Sequence, residues 1–307
     1  MNSKNIKYFS VGICAFNEEK NILRSIKYSL KQTIPDNFKL KEIIIVASGC
    51  TDNTVPKIRS VLSKHPKIIK LIEEKNRLGK ASAVNKIIQN SKSNLIMLQG
   101  ADTVPAANCY LNFLNHMNKK NVGMVGGRIV PTDNKGSFLG YANHLKWELH
   151  HLINLKYPER PKMGELILFK KIFTRIPPQT AVDEASIEPL IKLQGFNTVY
   201  EPKSVVYNSG PKTLREYLSQ RRRIFAGHYD TKISYGYEVI TFSSFSALPV
   251  FISAIGKNPR EIVFSILVAV FEIIARFFGY LDIRFKLRSH TVWKTISSSK
   301  AIHKFSK

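Results

Sequence analysis

Over its first hundred residues the chain alternates short, β-branched apolar runs with stretches of helical period, and this alternation limits the fold more than any other feature. Lys7–Cys14 predicts a strand. Glu18–Lys31 predicts a helix with Ile22, Leu23, Ile26 and Leu30 on one stripe, and Glu42–Ala47 a fully buried strand. Asn53–Leu62, Lys67–Glu73, Lys80–Gln89 and Asn94–Gln99 continue the series as helix, strand, helix and strand. Strands without a polar face must be covered on both sides, so the expectation is an α/β fold: a mainly parallel sheet flanked by helices. In such sheets ligands sit beyond the carboxyl ends of the strands.

The pattern loosens after Pro105. Val122–Val130 predicts a strand whose glycines admit a ligand or a neighbouring backbone. Helices are expected at Gly140–Leu155 and Glu184–Leu193, short strands at Thr198–Glu201 and Ser204–Tyr207, and a basic helix at Leu214–His228. The last seventy residues change character. Val239–Gly256 holds no charge, and Ile262–Leu281 is apolar except for Ser265, Glu272, Arg276 and Tyr280. These lengths suit two membrane passes or two helices lying in the membrane interface. Ser243, Ser244, Ser246 and Pro249 weaken the first span, and core helices of a soluble domain are the competing reading. Glu272 and Arg276, four apart, neutralise each other on one helix face. Positive flanks at Lys232 and Arg284–Arg288 would leave both ends of a hairpin cytoplasmic. The expected division is 1–235 and 236–307.

With 47 Lys and Arg against 22 Asp and Glu, the net charge is +25, which attracts polyanions: nucleic acid, an anionic membrane or phosphorylated substrates. No stretch interleaves aromatic and basic residues on one face, so nucleic acid is not an expected partner. A hydrophobic content of 44% excludes wholesale disorder. Cys14, Cys50 and Cys109 form no C-x-x-C pair and are read as reduced thiols. Met1–Lys7 is polar and basic, so no signal peptide is expected.

Six polar segments punctuate the chain, most of them directly after an apolar run. They are Cys14–Glu19, Ser48–Asp52, Asn76–Ala81, Gly100–Thr103, Asp183-Glu184 and Gln220–Arg223. In this order they resemble the donor site, metal site and catalytic base of family 2 sugar-nucleotide glycosyltransferases with the GT-A fold. The resemblance covers about residues 6–230. It implies an inverting hexosyl- or related glycosyltransferase, with a nucleotide-sugar donor, a lipid-linked or saccharide acceptor and a membrane as partners. Such a transfer needs a held nucleoside, positive charge on the leaving diphosphate, a carboxylate to take the acceptor proton and an in-line geometry.

The resemblance assigns Ala15, Phe16, Asn17 and Glu18 to the nucleotide turn, where Asn17 reads equally well as a helix N-cap. Ser48 stands where the family places acids, as does Ala47, so the donor base does not carry over; Asp52 reads as a cap. Arg77 and Lys80 are implied diphosphate contacts at a helix N-terminus. Asp102 is the implied ligand of Mg²⁺ or Mn²⁺, with Gly100 in place of the first acid of an Asp-x-Asp motif. Taken alone, Asp102 caps a helix starting near Pro105. Glu184 is the implied base and Asp183 its neighbour; alone they are an acidic first turn. Gln220 and Arg223 are implied donor contacts from a motif similar to the Gln-x-x-Arg-Trp of polysaccharide synthases. Ile224 replaces the tryptophan, which argues against processive polymerisation. His228 is a second candidate metal ligand. Three rivals remain: a catalytically inactive membrane-bound scaffold; a nucleotidyltransferase, which would want a glycine-rich loop after the first strand; and a nucleic-acid-binding module, which fits the charge and would want aromatic–basic interleaving on one face.

Overall fold

The computed structural model describes residues 6–240, 244–288, 290 and 292. The first half builds β1 (Lys7–Ala15), α1 (Ile22–Leu30), β2 (Phe38–Ser48), α2 (Thr54–Leu62), β3 (Ile69–Glu74), α3 (Lys80–Asn90) and β4 (Leu95–Gly100). There follow β5 (Val104–Pro105), α4 (Cys109–His116), β6 (Val122–Pro131), α5 (Phe138–Lys156), β7 (Leu166–Lys170), α6 (Asp183–Leu193) and β8 (Asn197–Asn208). Three helices close the described chain: α7 (Leu214–Tyr235), α8 (Ser244–Ala254) and α9 (Pro259–Arg284).

One sheet of eight strands runs in the order β3-β2-β1-β4-β7-β6-β8-β5. The β1–β4 half is parallel, as expected, but β7 runs antiparallel to both β4 and β6, so the sheet is mixed. The period of two along β2 explains its burial on both faces. Ile43 and Ile45 join Ile22, Ile26 and Ile58 of α1 and α2. Ile44 and Val46 join Val84, Ile87 and Ile187 of α3 and α6. Leu23 is 40% exposed and leaves the expected stripe of α1. The helix also starts four residues later than predicted, because Asn17 adopts φ +52° and the chain turns before Ile22. β8 is one strand rather than two; its partner register on β6 jumps from Glu201 to Val205.

Glycines mark close approaches of the protein to itself. A Cβ at Gly127 would lie 2.4 Å from the Ser204 carbonyl at the β8 irregularity, and one at Gly12 would lie 2.4 Å from Ile87 Cγ2. Gly12→Ala is therefore expected to cost about 1–3 kcal/mol in denaturant unfolding through overpacking. Ile87→Ala in the same chain should recover part of that loss, a non-additivity that independent sites would not show.

The first expected apolar span, Val239–Gly256, lies partly outside the described residues. Its described helix, α8, has 11 residues with Pro249 inside it, about 16 Å against a hydrocarbon core of about 30 Å. α9 has 26 residues and is the one helix among the described residues long and apolar enough to cross a bilayer. Its buried positions, Ser265, Val268, Ala275, Gly279 and Asp282, recur at heptad spacing and face the protein. Ser265 Oγ and Tyr141 Oη lie 2.7 Å apart, Arg221 makes two bonds to Glu272 (2.7 and 2.9 Å), and Arg222 pairs with Asp282. The outer face is apolar, with Val263, Ile266, Ile273 and Phe277 all more than half exposed. The helix is inverted: polar groups point inward, oily ones outward.

Candidate active site

A cleft of about 820 Å³ opens beyond the carboxyl ends of β1, β2 and β4, walled by α5, α7, α8 and α9. All the sequence-predicted site residues except Asn17 line it. Asn17 instead ties two loops together: the Thr51 amide donates to Asn17 Oδ1 (2.8 Å) and Asn17 Nδ2 donates to Thr51 Oγ1 (3.1 Å). It caps no helix, since α1 begins at Ile22. Glu18 braces the same turn, accepting from Asn21 Nδ2 at 2.9 Å. Asp52 accepts from the Thr54 amide (3.0 Å) and the Glu19 amide (3.2 Å), closing the loops after β1 and β2 onto α2.

Beside the loop after β1 the Arg77 guanidinium stacks 3.9 Å from the Phe16 ring centroid. Ser48 Oγ accepts from the Leu78 amide (3.3 Å) and so holds the Arg77 loop. Gly49, at φ +63°, passes so close that a Cβ would sit 2.5 Å from the Arg77 nitrogen; a side chain is excluded by both backbone and space. Gly100 has a comparable reason. A Cβ there would lie 2.7 Å from Asp102 Oδ1, so the Asp102 carboxylate occupies the space above the end of β4.

Lys80, expected at the diphosphate, lines the cleft and is held against the acidic pair. Its Nζ lies 2.9 Å from Asp183 Oδ1 and 3.5 Å from Glu184 Oε1, joining the start of α3 to the start of α6. Burial opposes the Lys80 charge, but the two carboxyls more than offset it and leave the ammonium well above the usual lysine range. Burial, then the charge of Asp183, push the Glu184 carboxyl up to about 7. Arg223 donates to the Ala181 carbonyl (2.9 Å), bracing the loop that delivers the acidic pair.

Among the described residues no group of three His, Cys, Asp or Glu side chains is placed to hold a metal. Asp102 lines the cleft just beyond the end of β4. His228 is buried in the field of Lys162, Arg221 and Arg276; burial first and these cations next keep its pKa well below the usual histidine range. Lys146, Lys162 and Glu165 also line the cleft and escaped the sequence reading. The available signal was Lys146 itself, a lysine on the apolar face of α5 beside buried Ala142 and Leu145.

Comparison with known proteins bears on the fold and the family. Poly-β-1,6-N-acetyl-D-glucosamine synthase of Staphylococcus aureus (strain COL) is 25% identical over 248 residues, 77% of this chain and 56% of that protein. The Staphylococcus epidermidis synthase is 22% identical over 230 residues, 71% and 54% respectively. The chain thus spans about half the length of these relatives. Among solved structures, the mannosyltransferase PcManGT from Pyrobaculum calidifontis, in complex with GDP-Man and Mn²⁺, superposes with TM-score 0.62 at 20% identity, covering 91% of this chain and 88% of that one. S. aureus TarS 1–349 in complex with UDP gives TM-score 0.51 at 12% identity, with 91% and 92% covered. These neighbours share the GT-A fold. The Glycosyl transferase family 2 profile matches residues 10–188, more than half of the chain, and the chain belongs to that family.

Proposed function

We propose that this protein moves a sugar from a nucleoside-diphosphate donor to an acceptor with inversion, Glu184 serving as the base. The observation that carries this reading is the raised Glu184 carboxyl beside Asp183 and Lys80, in the cleft that also holds Arg77 and Phe16. A base near neutrality combines a useful deprotonated fraction with a real affinity for the proton. The acceptor hydroxyl gives its proton to Glu184 as its oxygen bonds to the anomeric carbon. The bond from that carbon to the diphosphate breaks with its electron pair, and the nucleoside diphosphate leaves. Arg77 faces the leaving group, and Phe16 offers its ring to the base. Lys80 positions the two carboxyls.

A hard cation with one protein carboxylate and donor phosphate oxygens is a familiar arrangement for Mg²⁺, and Asp102 would supply that carboxylate here. When bound, such an ion neutralises charge on the diphosphate. Residues 1–235 carry the chemistry, and 236–307 hold the chain on a membrane through the outer face of α9. Lys232 and Arg284–Arg288 flank this region and favour the anionic cytoplasmic leaflet. The acceptor is lipid-linked. Ile224 offers no aromatic face for a growing glycan, so transfer stops after one addition.

The test is nucleoside-diphosphate release from a panel of sugar nucleotides, with a lipid extract, with and without Mg²⁺ or Mn²⁺. Release from one donor that requires lipid, with a product one sugar longer, is expected. Equal release without lipid, or a ladder of products, would remove the acceptor or the single-addition part. Arg77→Ala is expected to raise the donor KM at least tenfold (about 1.4 kcal/mol) in initial-rate measurements.

A further inference from the structure

β7 runs antiparallel beside β4, with Leu98 against Ile167 and Gln99 against Leu166. Carried one residue further, this register sets Glu165, directly before β7, across from Gly100. Residues directly opposite in an antiparallel pair share a face, their Cβ positions about 5 Å apart. Glu165 therefore stands beside the place that Gly100 leaves without a side chain. The Asp102 carboxylate lies over the same place, because a Cβ on Gly100 would come within 2.7 Å of Asp102 Oδ1. Gly100, Asp102 and Glu165 all line the cleft. After burial, the strongest influence on Glu165 is the charge of Asp102, ahead of Lys146 and Lys80. The nearby cations have other engagements. Lys80 is held by Asp183 and Glu184, Lys146 sits 4.3 Å from the Trp147 ring centroid, and Arg24, in the field of Asp102, donates to Asn21. A second strand pairing brings in an oxygen. β5 lies antiparallel to β8, with Val104 against Tyr207, so the residues just before β5 meet the end of β8. There Asn208 donates to the Glu165 carboxylate. Asn208 is 4% exposed, and its Oδ1 has no hydrogen-bond partner among the described residues. Two carboxylates and a buried acceptor with nothing to accept call for a positive partner.

We infer that Glu165 joins Asp102 as the second carboxylate for a divalent cation in this cleft, with Asn208 orienting Glu165. This deepens the cation part of the function proposed above and rests on it. The two acids come from different strands: β7 delivers the carboxylate that Gly100 cannot. The donor set is all oxygen, which suits Mg²⁺ or Mn²⁺ and not a thiolate- or imidazole-seeking metal. Two carboxylates leave the rest of the shell to phosphate oxygens and water.

Mn²⁺ binding to the full chain in non-ionic detergent tests this, read from the electron paramagnetic resonance of free Mn²⁺. The ion is titrated alone and with UDP, GDP, CDP or ADP, each against the same mixture without protein. Asp102→Asn and Glu165→Gln should each weaken binding at least tenfold. Glu148→Gln, which removes a carboxylate paired with Arg128 at the surface, should leave it unchanged. Thermal unfolding without Mn²⁺ identifies any misfolded variant. A second measurement needs no variant: Mn²⁺ should protect both Asp102 and Glu165 of the wild type from carbodiimide labelling, located by peptide mass spectrometry, and leave Glu148 labelled. Binding by Glu165→Gln equal to the wild type, or protection of Asp102 without Glu165, overturns the second carboxylate and leaves the reading with Asp102 alone standing. An equal loss in Glu148→Gln reduces the effect to overall charge and overturns it as well. A wild type that binds no Mn²⁺ with any of the nucleotides removes the inference and the cation part of the proposed function together, while sugar transfer measured separately in chelator decides whether the transfer reading survives without the ion.

Discussion

Glu184→Gln is expected to lower turnover about 10²–10⁴-fold while the donor KM changes little, because the side chain is needed for the proton and not for holding the nucleotide. In the wild type, turnover should fall tenfold per pH unit below about 7, where the Glu184 carboxyl takes up its proton. The stability effect has the opposite sign. The folded carboxyl titrates well above its ordinary value, so between about 4.5 and 7 the folded state holds a proton that the unfolded state has lost. Stability then declines as pH rises through that window. Glutamine cannot ionise, so above pH 7 the inactive variant should melt higher than the wild type. A variant that lost activity and also melted lower at pH 8 would show that Glu184 serves the structure first. A stability–function trade of this kind is expected where burial has tuned a base.

Glu272→Ala should produce the largest loss of stability. It leaves the Arg221 and Arg276 guanidiniums facing one another without the carboxylate they share. The three side chains keep 16%, 21% and 36% exposure, so removing one side of this partly buried cluster should cost about 3 kcal/mol, the low end for buried pairs, whereas replacing the whole set by apolar groups can be nearly neutral. The triple variant Arg221→Met, Glu272→Leu, Arg276→Met should therefore melt closer to wild type than Glu272→Ala alone. Thermal unfolding at fixed detergent concentration decides the matter. An unchanged melt for Glu272→Ala would mean that water reaches the cluster and α9 is held by its packing alone.

The parallel half of the sheet was legible because β1, β2 and β4 must be apolar on both faces, and strands alternating with helices find that burial in a parallel sheet covered by helices. β7 was not. Leu-Ile-Leu-Phe-Lys lies in a stretch whose flanks carry no helical period, and its antiparallel direction depends on contacts with β4 and β6 that local sequence does not encode. The site was legible where loops follow strands. Phe16, Arg77 and Asp102 stand in one cleft because parallel strands bring their carboxyl ends together, and Glu184 joins them from the first turn of α6. Lys80 was harder. A lysine at a helix N-terminus suits a phosphate, and only the three-dimensional approach of α3 to α6 puts it against Asp183. Lys146 and Lys162 were missed for a related reason: in a chain with so many lysines, burial is what separates these two from the rest.

The inverted surface of α9 governs how the protein behaves in a tube. In water without amphiphile, a ridge of exposed isoleucine, valine and phenylalanine is most readily hidden against the same ridge on another molecule. A dimer seen under those conditions measures the thirst of that ridge for cover, and its dissociation on adding detergent would say nothing about catalysis. Trimming the ridge with charges would yield a more soluble protein, with the inward Glu272 and Asp282 contacts still in place. Such a variant would separate what the helix does for the fold from what it does for address.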